Sequence, residues 1–218
     1  MPVETYTLSE LPRRAVLRYM GYRGQALTSE VDARIDEGIA RALELARPRA
    51  SWAVFDIAGA GEGGAIVLDG CALTLPGASI ARHLEGAVSC AVMAVTVGMD
   101  AERELKRLST VDPVLGVIFD AAGTVAVEEA AAACQKSVAS AAAERGLHAN
   151  ARFSPGYGDL PLAVQPMLLA SVDAQRRLGI ALTNSLLMVP TKSITAVMGV
   201  FSTSPAARRA ERASGSLA

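Results

Sequence analysis

The residues best suited to chemistry lie in one short tract, Arg152-Phe-Ser-Pro-Gly-Tyr-Gly-Asp-Leu-Pro161. Two prolines and two glycines fix an irregular backbone there, beside an arginine, a tyrosine and an aspartate. Such a loop can present main-chain amides and carbonyls to a ligand, with glycine permitting close approach and tyrosine offering a flat face with a polar tip. On these residues alone, a ligand loop and an ordinary structural turn are equal readings. Other chemistries find less support. His83 and His148 have no histidine, cysteine or carboxylate at metal-ligand spacing, which argues against zinc. Cys71, Cys90 and Cys134 lie far apart without a Cys-x-x-Cys pair and read as small core residues. Gly59-x-Gly61-x-x-Gly64 has dinucleotide-loop spacing, but strand-like sequence follows it where that motif needs a helix, so a hairpin loop is the stronger reading. A Ser-His-Asp triad needs no adjacency in sequence, yet no Gly-x-Ser-x-Gly elbow supports one, and a P-loop is absent.

The elements that must hold the tract in place can be read from periodicity. Two helices are expected in the first forty or so residues, one with Leu11, Ala15 and Tyr19 on a face, the other with Ile35, Ile39 and Leu43. Thr28 or Ser29 caps the second, Glu30 and Asp32 suit its positive end, and Pro48 stops it. Strands are expected over Trp52–Ile57 and Ala65–Leu68 around a glycine-rich loop. A short helix over Ser79–Leu84, a buried strand over Ala87–Val97 and an amphipathic helix over Asp100–Leu108 follow. A long alanine-rich helix runs from about Pro113 to Arg145, with proline in its first turn and Gly146 at its end. Beyond the loop at 152–165, a helix over Val164–Leu178 is closed by Gly179, Ser193–Phe201 forms a final strand, and the tail from Ser202 is expected to be disordered. Strands and helices mix without regular βαβ alternation, so the expected class is α+β, and no internal repeat is present. The expected division is a helical segment at 1–48, an α+β core at 49–201 and a tail at 202–218.

Composition narrows the partners. Lysine and arginine number 21 against 22 acidic residues, and aromatic residues make up 4% of the chain. Neither the basic field nor the stacking platform of a nucleic-acid binder is there. The apolar stretch Ala87–Met99 is interrupted by Ser89, Thr96 and Gly98 and falls short of the roughly 20 residues a membrane span requires. The first residues lack a basic region leading into an apolar run, so the expected location is the cytoplasm.

The loop tract is similar to the Arg-x-x-x-Gly-Tyr signature of the S-adenosylmethionine-binding activation domain of cobalamin-dependent methionine synthase, with Arg152, Gly156 and Tyr157 at the matching positions. The likeness continues downstream through Leu178-Gly-Ile-Ala-Leu-Thr-Asn-Ser185, Met188-x-Pro190 and Lys192-Ser-Ile-Thr195. Upstream, Leu17–Gln25, Pro76–Gly86 and Ala94–Gly98 resemble free-standing bacterial members. The resemblance covers nearly everything except the tail. It implies mixed helices packed on a twisted, mainly antiparallel sheet, and an S-adenosylmethionine site made of Arg152, Phe153 through its main chain, Gly156 and Tyr157. A glutamate of the long helix joins them. Val127-Glu-Glu129 offers two, of which Glu129 falls nearer the aliphatic stripe of Ile118, Ala122 and Val125, while Glu128 matches the family's placement better. Glu128 is therefore the expected ligand residue.

The implied activity is reductive reactivation, in which an oxidised cobalamin on a partner gains one electron and accepts the methyl group of S-adenosylmethionine. The implied partners are a cobalamin-binding methionine synthase or related corrinoid protein and a flavodoxin- or ferredoxin-like electron donor, with no catalytic side chain and no metal site in this chain. Arg152 suits the ligand's carboxylate, Glu128 its ammonium, sulfonium or ribose hydroxyls, and Tyr157 packing against it. The family's Thr-Glu-Ser is here Thr183-Asn184-Ser185, which removes a charge. The Asp-x-His-x-x-Gly motif that supplies a lower cobalt ligand is missing, since His83-Leu-Glu-Gly86 reproduces only its end and Ala81 stands at the aspartate position. Cobalamin thus enters only through a partner. Alternatives are a subunit for another corrinoid methyltransferase, a docking protein that kept the fold without the ligand, and an ordinary small-molecule methyltransferase, the last disfavoured for want of a glycine-rich strand-to-helix loop.

Overall fold

The computed structural model describes residues 3–204. The expected tail therefore lies outside the described residues from position 205 onward. In chain order the elements are β1 (Val3–Thr5), α1 (Arg13–Tyr19), α2 (Ser29–Leu45), β2 (Arg49–Ala60), β3 (Ile66–Leu68), β4 (Thr74–Leu75), α3 (Ala78–His83), β5 (Ser89–Thr96), α4 (Met99–Val111), α5 (Pro113–Ala143), β6 (His148–Ala149), α6 (Gln165–Ser171), α7 (Ala174–Leu178), β7 (Ala181–Leu182), β8 (Met188–Val189) and β9 (Ser193–Phe201). Among them, seven strands form one antiparallel sheet in the order β4-β3-β2-β5-β9-β6, with β1 also paired to β2, while β7 and β8 make a separate hairpin. This is the α+β class expected from the sequence.

Every residue of β5 is buried. Its side chains alternate between two layers, as the period of a strand demands. Cys90, Val92 and Ala94 face a core shared with Ile80 of α3, Leu168 of α6 and Leu178 of α7. Ala91, Met93 and Val95 face Ala130, Ala131, Cys134 and Val138 of α5. β9 repeats the pattern in register, with Val92 opposite Val197 and Met93 opposite Ala196.

The 31 residues of α5 span about 46 Å at the helical rise, long enough to serve two cores. Asp112 caps its start by accepting the Leu115 amide at 3.1 Å. The first half, with Leu115, Phe119 and Ala122, packs against Val16 of α1, Ala42 of α2 and Leu108 of α4. The second half lies on the sheet, where alanines allow close approach.

Several sequence expectations change. α1 buries Val16 rather than Tyr19, which is exposed, because the helix begins only at Arg13. Thr28 is the cap of α2, accepting the Val31 amide at 3.3 Å. The helix expected over Val164–Leu178 is two helices, interrupted where Asp173 takes a left-handed φ of 53°. The segment expected to be helical at 1–48 also contains β1, which pairs antiparallel with β2. Gly59, Gly61 and Gly64 lie in and beside the β2–β3 hairpin, where only a single 3-10 turn over Glu62–Gly64 and no α-helix opens on them, so the dinucleotide reading falls. No described helix is long and apolar enough to cross a membrane.

Two interactions of the helical layer make testable claims. A Cβ on Gly38 of α2 would lie 2.5 Å from Ile118 Cγ2 of α5, so this glycine sets the spacing of the two helices. Overpacking costs roughly 1–3 kcal/mol and alanine's better helix propensity returns close to 1, so Gly38→Ala should destabilise by about 1 kcal/mol in urea unfolding. The penalty should vanish in an Ile118→Ala background; an equal loss in both backgrounds would refute the contact. Secondly, Glu104 of α4 is buried and accepts from both Nε and Nη2 of Arg107, at 2.9 and 2.8 Å, and from Arg41 of α2. The Arg107 guanidinium first, then Arg41, hold its carboxyl down from 4.5 to about 2. A depressed folded value means that this stabilisation is present above the unfolded pKa and is lost as pH falls towards the folded one. The melting temperature should therefore drop between pH 4.5 and about 2, more steeply than in Glu104→Gln.

Candidate functional site

The position of Arg152 follows from a short edge strand. β6 pairs with β9 through His148 opposite Phe201 and Ala149 opposite Val200, and Asn150 continues the ladder by donating its amide to Gly199 O at 3.0 Å. The next pairing is Phe153 with Val197, through main-chain bonds of 2.9 and 2.8 Å. Three steps along this chain thus match two along β9. The surplus residue makes a bulge, and bulges at sheet edges re-aim side chains. Here the re-aimed side chain is Arg152. Its Nε donates to Gln135 Oε1 at 3.0 Å and its Nη2 to Glu128 Oε2 at 3.2 Å, both on α5. Its Nη1 has no protein partner among the described residues.

The rest of the tract is anchored from behind by α3. Asp159 accepts the Ser79 amide at 2.9 Å and the Ala78 amide at 2.7 Å, and these donors hold its carboxyl below the ordinary range. Gly158 is required by contact, because a Cβ there would lie 2.7 Å from Ser79 Oγ. Gly156 adopts φ of 90°, a turn conformation that side chains rarely take, and its amide donates to Leu160 O at 2.8 Å. His83 Nε2 lies 2.9 Å from Ala151 O, and its ring is 5.0 Å from that of Phe153. His83 therefore supports the loop.

Together these elements enclose a cleft of about 680 Å³. Glu128 and Gln135 line one wall, with Arg152 and Phe153 beside them; Tyr157 and Leu162 form another, and Leu186, Leu187 and Met188 a third. Thr191, Ser193 and Thr195, where β9 begins, close the floor together with Gln165. Tyr157 is 68% exposed and so has room to cover a ligand. The floor is rigidly tied. Glu102 of α4 accepts the Thr191 amide at 2.9 Å and its hydroxyl at 2.7 Å. Burial pushes Glu102 up, but these donors and Lys106 outweigh it and leave the carboxyl lowered. Lys192 reaches across Gly123 to Asp120 and Thr124 of α5, each at 2.8 Å.

Of the residues expected from the sequence, Glu128 of α5 and Arg152, Phe153 and Tyr157 of the loop all line the cleft, and Gly156 shapes that loop. Glu129 is exposed on α5 and lines none of it. Phe153 is constrained: its N–H is spent on Val197, leaving for a ligand only the second lone pair of its carbonyl. Asn184, the departure from the family's glutamate, is exposed in the β7–β8 loop and outside the cleft lining. Sequence reasoning missed Gln135 and Gln165, which carry no motif and show their roles only through partners and burial.

The cleft combines a half-exposed carboxylate–guanidinium pair, neutral amides and hydroxyls, and apolar walls. It suits a ligand of mixed character, zwitterionic at one end and flat and apolar elsewhere. No protein-family model and no curated protein matches the sequence. Among solved structures, the chain is similar to the MetH reactivation domain bound to AdoHcy, with a TM-score of 0.64 and 15% identity, covering 94% of this chain and 80% of that one. At this identity the likeness is one of fold: mixed helices on a curled antiparallel sheet.

Proposed function

We propose that the cleft binds S-adenosylmethionine and that the chain, as a separate subunit, presents the ligand's methyl group to a corrinoid on a partner, in the reactivation of a cobalamin-dependent methionine synthase. One observation carries this reading. Glu128 of α5 and Arg152, Phe153 and Tyr157 of the loop, all expected from the activation-domain resemblance, line a single cleft of about 680 Å³, within the range of small-molecule sites. The reading is also supported by a fold similar to a reactivation domain solved with AdoHcy.

Bound S-adenosylmethionine supplies a methyl group activated by its sulfonium. The chain's own residues bind and orient it. Arg152 meets the carboxylate through its uncommitted Nη1, Glu128 faces the ammonium, sulfonium or ribose hydroxyls, and Tyr157 packs over the ligand. Gly156 permits the turn, and the Phe153 carbonyl offers one further acceptor. The contribution is proximity and orientation, so no side chain of this protein acts as general base. The reading assigns electron supply to a flavodoxin- or ferredoxin-like donor and places the protein in the cytoplasm.

Calorimetric titration of S-adenosylmethionine into the protein tests this. Saturable binding is expected, and Arg152→Ala should weaken it by about 2 kcal/mol, roughly thirtyfold, for a lost charge-assisted contact. Tyr157→Ala and Glu128→Gln should each weaken it less, and the Arg152→Ala, Tyr157→Ala double variant should abolish measurable heat. Absence of binding by the wild type, or unchanged binding by the double variant, would refute the assignment.

A further inference from the structure

Gln165 is the first residue of α6 and 3% exposed, yet only half of its carboxamide is used. Oε1 accepts the Thr195 hydroxyl at 3.1 Å. Nε2 makes no hydrogen bond to the protein among the described residues and is not sealed within it, and the side chain lines the cleft. A buried amide with an idle donor is a costly arrangement unless something in the cleft accepts from it. With Oε1 engaged by the Thr195 hydroxyl, Nε2 is the half of the amide left for the cleft.

We propose that Gln165 is the specificity-determining residue for the base of the bound nucleoside and that it reads adenine. This inference rests on the proposed function. The edge of adenine sets a ring-nitrogen acceptor beside an exocyclic amine donor. A glutamine amide matches that pair with Nε2 donating to the ring nitrogen and Oε1 accepting from the amine, as in its pairing with adenine edges in DNA. Oε1 can do so while still bonded to Thr195, because a carbonyl oxygen has two lone pairs. The surroundings agree. Phe153, Leu162 and Met188 line the same cleft and supply apolar contact for a flat ring, whereas Glu128 and Arg152 serve the charged end. Hypoxanthine carries an oxygen in place of the amine and so sets acceptor against acceptor at Oε1, leaving a buried group unmatched.

The test compares S-adenosylhomocysteine with S-inosylhomocysteine by calorimetry on the intact chain. The wild type should prefer the adenosyl compound on the order of tenfold or more. Gln165→Leu should lose that preference. Gln165→Met, close to glutamine in size and carrying neither the donor nor the oxygen acceptor, should lose it too, and stands in should the leucine variant fail to fold. A merely structural role would weaken both compounds equally. If the wild type binds the adenosyl compound but either folded variant keeps the full preference, the Gln165 assignment falls and the proposed function stands. If the wild type binds neither compound, both fall.

Discussion

The central constraint on this fold is that β5 is buried on both faces along its whole length. A strand of that kind must be covered twice, and the two covers have different characters. On one side α5 lies against the sheet through Ala130, Ala131 and Cys134, side chains small enough to let a helix approach closely. On the other, α3, α6 and α7 pack Ile80, Leu168 and Leu178 against Cys90, Val92 and Ala94. The antiparallel register with β9 carries the same two-faced burial to the next strand, and the sheet edge then falls one short strand away.

The cleft is a consequence of that edge. Because β6 covers β9 for only two residues, the rest of β9 is left to irregular chain, and the bulge between Asn150 and Phe153 turns Arg152 out of the ladder. α5, already fixed by its packing on the sheet, offers Glu128 and Gln135 where Arg152 emerges. α3 and α6, fixed by the opposite core, anchor Asp159 and place Gln165. The site is therefore the meeting place of both layers at the sheet's open edge, and its geometry is inherited from the core.

How much of this was legible in the sequence depended on the range of the interaction involved. Local signals were readable: the Thr28 cap, the proline at the start of α5, the apolar run Cys90–Val95 within β5 and the glycine–proline tract at 152–161. Candidate site residues came from resemblance, since no periodicity links Glu128 to Arg152. What stayed hidden is non-local. β1, β4, β6, β7 and β8 are two or three residues long, too short for an alternating pattern, and exist because a neighbour pairs with them. The bulge has no residue signature, as it is a mismatch of counts against β9. The break at Asp173 interrupts a segment whose apolar residues suit one helix. Gln165 looks from the sequence like any polar residue at a helix start, and only its burial against Thr195 sets it apart.

The electrostatics of the cleft follow from the same arrangement. Arg152 and Glu128 satisfy one another, but the glutamate side chain is 45% exposed and the arginine 22%, so the pair contributes little to stability, below about 1 kcal/mol once solvent screening is counted. Opening it is correspondingly cheap. A zwitterion entering the cleft can take both partners in exchange, carboxylate for carboxylate and cation for guanidinium, without leaving either protein charge unmatched. Such an exchange gains little net Coulomb energy because two pairs, the protein's own and the zwitterion's internal one, are replaced by two similar ones. Discrimination must then come mainly from groups that have no alternative partner in the protein. Gln135 holds Arg152 from a second direction and limits how far the guanidinium can follow a badly placed anion. The neutral donors and apolar walls of the cleft are where a correct ligand differs most from a wrong one, and they rest on the start of β9, where Thr191 is bonded to Glu102 and Lys192 to Asp120 and Thr124.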